Sequence, residues 1–246
     1  MNKGTIKQIL LITDGCSNQG EDPAAVASLA LQQGITVNVI GVLENDQTEQ
    51  PEGLEEVEEI SLSGGGVSQI VYAKALSQTV QMVTRQGMTQ TLQGVVNQEL
   101  QSILGSGKNM EELPPDQRGE VMEVVDELGE TSDLQVLVLV DTSASMHSKL
   151  PTVQDSLYDL SLSLNARMGK NRFSIFSFPG KRKAIDKIVD WTPELNAIAS
   201  VFPKLTSGGI TPTGPALREA MNHFSKKKRV RSLITRDESA REESGY

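Results

Sequence analysis

Asp141-Thr142-Ser143-Ala144-Ser145 offers one carboxylate and two hydroxyls at alternate positions. Spacing by two lets Asp141, Ser143 and Ser145 line one side of a loop, and their hard oxygen donors suit magnesium or manganese. Two other segments carry donors of the same kind. Gly208-Gly209-Ile210-Thr211-Pro212 presents the Thr211 hydroxyl just before a helix start, and the apolar run ending Ile12-Thr13-Asp14-Gly15 delivers a second carboxylate, Asp14. Each also has a plainer reading when taken alone. Asp141 and the serines cap a helix, Thr211 is an N-cap, and Asp14-Gly15 is a turn pair.

The rest of the sequence excludes softer metal chemistry. Cys16 is the only cysteine, and His147 and His223 are the only histidines, so neither a thiolate cluster nor a multi-histidine zinc site is available. Any metal must be held by oxygen. A formal charge of −9 argues against nucleic acid and anionic membrane surfaces as partners. Apolar residues at 37% and charged residues at 22% describe a soluble globular chain. No apolar run approaches the ~20 residues of a membrane helix, and Met1 to Gln8 lacks a signal-peptide core, so a cytoplasmic location is expected.

The elements that must position these donors read as an α/β pattern. Gln8 to Thr13 is a short continuous apolar run, as in a strand buried on both faces of a parallel sheet. Asp22-Pro23 opens a helix that Gly34 ends, and Ile35 to Val42 is the next strand. Leu54 to Ser61 is a short helix, Gly64 to Gly66 a breaker, and Gln69 to Tyr72 a β-prone stretch. From Ala73 to Leu104 the pattern turns helical, with Leu92, Val95, Val96, Leu100, Ile103 and Leu104 as a stripe better read as core than as a partner groove. Val121, Val124, Val125 and Leu128 mark another helix.

Leu134 to Val140 restarts the strand pattern and ends on Asp141. Val153, Leu157, Leu160, Leu164 and Met168 then trace a helix. Arg172 to Phe178 and Ile185 to Val189 read as strands paired through Pro179-Gly180, and Pro193 to Val201 and Pro212 to Phe224 as helices. The basic run Lys226 to Arg231 leads into a charged tail.

The set DxSxS at Asp141, GGxTPxGxAL around Thr211 and TDG at Asp14 resembles the von Willebrand factor A domain, whose metal-ion-dependent adhesion site is made from three such motifs. The resemblance implies a doubly wound, mostly parallel, Rossmann-like sheet in three layers. It also implies a Mg2+ or Mn2+ site formed by Asp141, Ser143, Ser145, Thr211 and Asp14, with a coordination position left for an Asp or Glu of a protein partner. Family sequences carry TDG last, whereas here it comes first, so the resemblance implies a circular permutation.

On that reading residues 1–80 are the later half of the domain, 81–130 a helical connector, and 131–246 the earlier half with its charged tail. Closure within a monomer and exchange between the chains of a swapped dimer both satisfy it. Lys7 to Ser17 is echoed weakly by Arg229 to Ser239, as a remnant strand or by chance. Three functions compete: a metal-dependent interaction module without catalysis, a magnesium-dependent phosphohydrolase or phosphotransferase, and a metal-free scaffold. The DxD pair of one phosphatase class is missing, since Ser143 follows Asp141 and Cys16 follows Asp14.

Overall fold

The computed structural model describes residues 4–15, 17–43, 51–104, 109–195, 202 and 209–224. Six strands form one sheet: β1 (Thr5–Thr13), β2 (Thr36–Leu43), β3 (Gly65–Tyr72), β4 (Asp133–Asp141), β5 (Asn171–Phe178) and β6 (Asp186–Thr192). The helices are α1 (Pro23–Gln32), α2 (Pro51–Ser63), α3 (Leu76–Leu104), α4 (Pro115–Thr131), α5 (Leu150–Asn165) and α6 (213–224).

The strand order is β3-β2-β1-β4-β5-β6, parallel throughout except for β6, which runs antiparallel to β5. Continuous apolar strands such as Ile9-Leu10-Leu11-Ile12 and Leu137-Val138-Leu139-Val140 bury both faces, which requires a helix layer on each side. One face packs Leu10, Ile12 and Val138 under α3, α5 and Val125 of α4; the other packs Ile9, Leu11 and Leu137 under α1, α2 and α6. The result is a three-layer, doubly wound α/β fold, as the family resemblance implies.

From β1 the chain winds outward through β2 to β3 at the edge, then crosses back to β4 on the other side of β1. The β1/β4 pair is therefore the switch point of the winding, the place where the loops at the strand ends part and leave a crevice. Both halves of the sequence meet there within one chain, with Ile12 paired to Val140.

Several local expectations need correction. Gly64 to Gly66 does not break the chain before a strand, because β3 already begins at Gly65. A Cβ at Gly66 would lie 2.2 Å from the Val37 carbonyl oxygen, so a bare backbone lets β3 approach β2 where their register shifts. The stripe read as core also divides differently. Leu76, Val80, Val83, Met88 and Leu92 are buried, while Val95 and Ile103 are exposed, because α3 covers the sheet with its first half and overhangs it with its second. Helix α3 runs unbroken through residue 80 and supplies core side chains to the sheet.

Helix α5 stops at Asn165, which leaves Met168 outside it and three-quarters exposed. Pro193 to Leu195 is not helical. The remainder of that segment lies outside the described residues, as do Cys16, the basic run and the Arg229 to Ser239 echo.

Candidate metal centre

Adjacent parallel strands place Thr13, the last residue of β1, beside Asp141, the last residue of β4. The Thr13 hydroxyl donates to Asp141 Oδ2 at 2.8 Å, and the backbone N–H of Ser143 donates to Asp141 Oδ1 at 2.7 Å. With no exposed surface, this carboxylate is fixed on both oxygens. Burial pushes its pKa above the ordinary value of 3.8, aided by the nearby charge of Asp14, while the Ser143 amide and the Thr13 hydroxyl pull it back.

Beyond Asp141 the loop is pinned before it turns. The Thr142 N–H and hydroxyl both donate to the Phe178 carbonyl at the end of β5, at 2.7 and 3.0 Å. A 3-10 turn, Ala144–Met146, follows, held by the buried Met146 side chain. This turn brings the hydroxyls of Ser143 and Ser145 to 3.1 Å from one another.

Ser145 then reaches across the crevice and donates to Asp14 Oδ1 at 2.9 Å. The other oxygen of Asp14 accepts from the ammonium of Lys149, and both side chains are buried, 4% and 7% exposed respectively. Asp14, Asp141, Ser143 and Ser145 thus form a connected cluster, although residues 14 and 145 are separated by 131 positions. The two serine hydroxyls are in mutual contact at the crevice, and Ser145 is exposed.

Thr211 is drawn in by its backbone. Its N–H donates to Asn18 Oδ1 at 2.9 Å, and its carbonyl accepts from the Asn18 N–H and the Ser17 hydroxyl, at 3.2 and 3.3 Å. Ser17 is fixed from beneath, where its N–H is shared by the two carboxylate oxygens of Glu56, at 3.0 and 2.8 Å. Burial raises the Glu56 pKa against the opposing pull of that amide. The first turn of α6 is held still more closely at Gly214, where a Cβ would lie 2.0 Å from the Glu21 carbonyl oxygen, and Arg218 of α6 pairs with Glu21 through two contacts.

The five residues singled out in the sequence therefore gather at one end of the sheet, four linked by hydrogen bonds and Thr211 held through the segment after Asp14. Sequence reasoning passed over four more: Thr13, Thr142, Glu56 and Lys149. Lys149 did leave a signal, because a lysine immediately before the helix start at Leu150-Pro151 opposes the helix dipole. His147, two residues beyond Ser145, is exposed. Among the described residues no group of three or more His, Cys, Asp or Glu side chains is arranged to hold a metal, so two carboxylates with hydroxyls are the donor set on offer.

Known proteins bear on this arrangement. The pattern of the von Willebrand factor type A domain matches residues 1–70 and 134–244. The uncharacterized protein YabS of Bacillus subtilis (strain 168) is 61% identical over 245 residues, the full length of both chains. An uncharacterized protein from Alicyclobacillus acidocaldarius, known from a crystal structure, is 43% identical with a TM-score of 0.83, over 92% of this chain and 96% of that one. By the extent of the pattern match and by the likeness of its sheet to that relative, the chain belongs to the von Willebrand factor type A domain family.

Proposed function

We propose that the chain is a metal-dependent interaction module, in which Asp141, Ser143, Ser145, Thr211 and Asp14 hold Mg2+ or Mn2+ and a protein partner completes the site with an Asp or Glu. The observation that carries this reading is the hydrogen-bonded cluster of Asp14, Ser145, Ser143 and Asp141 at the β1/β4 switch point. Its donors are hard oxygens without sulfur or imidazole, which fit a small divalent cation. When bound, the ion supplies a positive charge that neutral hydroxyls quench little, so a carboxylate from outside is strongly attracted.

The residues of the chain do the positioning. Thr13 and the Ser143 amide keep Asp141 oriented, Thr142 fixes the loop to β5, and Glu56 holds the segment on which Thr211 rests. The module binds and does not catalyse. Glu55, Glu56 and Glu59 line a neighbouring crevice of about 600 Å³. Together with the net charge of −9, they favour a partner whose contacting acid sits on a basic background.

We read the chain as a circularly permuted domain closed within a monomer and working in the cytoplasm. The motif order and the two matched segments on either side of 71–133 support the permutation. No helix among the described residues is long and apolar enough to cross a membrane. Calorimetric titration with Mn2+ tests the function. The intact chain is expected to take up one ion, and Asp141→Ala to take up none; equal heats from both proteins would refute the site.

A further inference from the structure

Lys149 is an anomaly that the proposed function leaves unused. Lysine is almost never buried without a partner, and a cation at a helix N-terminus faces the positive end of the dipole. Yet Lys149 directly precedes α5, and its side chain is only 7% exposed. Its ammonium ends on Asp14 Oδ2, while Ser145 occupies Asp14 Oδ1. Both unfavourable placements are tolerated because a buried carboxylate receives the charge.

We propose that Lys149 is an internal cation of the metal centre, holding Asp14 in place when no divalent ion is bound and competing with the ion for that carboxylate. This rests on the metal-binding reading above. Two carboxylates and one ammonium leave the cluster with a net charge of −1, so a bound divalent ion brings it to +1. Without Lys149 the same sum is zero. The lysine therefore weakens the hold on the ion and preserves positive charge for an incoming carboxylate.

The test compares the full-length wild type with Lys149→Met by melting in chelator and by Mn2+ titration. In chelator, K149M is expected to melt about 5–15 °C lower, because Asp14 is left as an unpaired buried charge. Its Mn2+ dissociation constant is expected to fall about tenfold, within the usual range of coupling between sites. Lys149→Arg, which keeps the charge, should stay within about threefold of wild type, and the milder Lys149→Gln replaces K149M if the latter does not fold.

If wild type binds Mn2+ and K149M binds it equally or more weakly, Lys149 is no competitor; the proposal falls while the metal site stands. An unchanged melting temperature in chelator overturns the counter-ion role. Absence of uptake by both proteins overturns the metal reading and this one together. Uptake by K149M alone is the competition in its strongest form.

Discussion

At the scale of single residues, the proposed metal role sets binding against stability, and Asp141 shows it most clearly. Its folded pKa lies above the ordinary value, so the metal-free folded chain holds that proton more tightly than the unfolded chain does. Stability from this group therefore falls as pH rises from 3.8 through the raised value, and the loss persists at neutral pH. Asp141→Asn should consequently melt higher than wild type in chelator at pH 7, with the difference shrinking below pH 3.8. Its amide oxygen still accepts from Ser143, and its NH2 faces a Thr13 hydroxyl able to accept. Melting with excess Mn2+ should reverse the order, because only wild type gains from ligand binding. A less stable Asp141→Asn chain in chelator at neutral pH would contradict the burial argument. Asp141, Ser143, Ser145 and Asp14 were legible in the sequence because hard donors fell at the ends of apolar runs. Lys149 and Glu56 were not, since lysine and glutamate are normally surface residues and nothing in the sequence states which carboxylates will be buried.

At the scale of elements, the sheet that carries the site is completed by β3 at one edge and covered on one face by α3. β1, β2 and β4 could be read directly, because strands buried on both faces are nearly continuous in Val, Ile and Leu, and β5 from the alternation of Phe and Ile with serine. Strand β3 was harder, since its opening glycines look like a loop until their contact with Val37 is seen. Helix α3 was blurred by buried polar residues: Thr84 lies against Gln8, and Gly87 faces Asn38 at a distance where a Cβ would sit 2.6 Å from its amide oxygen. Such residues dilute the apolar periodicity over the half of the helix that packs on the sheet. Gly66→Ala is expected to destabilise by about 1–3 kcal/mol, because the obstacle is backbone and cannot swing aside. Denaturant unfolding measures it, and a change below about 0.5 kcal/mol, the range of an ordinary surface substitution, would show that β3 has room to retreat.

At the scale of the whole molecule, the winding of the sheet brings the proposed donors together. Starting at β1, the chain builds one flank, crosses over through α3 and α4, and builds the other, so its two halves supply opposite walls of one crevice. The α/β class was legible from alternating strand and helix patterns and the three layers from the family resemblance, but the fit of Thr211 onto Asn18 depends on contacts 193 residues apart and has no local signature. Metal binding thus reports on closure of the fold as well as on the site. The most direct measurement is the anomalous diffraction of a Mn2+-soaked crystal of the full chain. The account predicts a peak in contact with the hydroxyls of Ser143 and Ser145, bounded by Asp141 and by Asp14 of the same chain. A peak elsewhere, none at all, or one walled by Asp14 of a second molecule would contradict it.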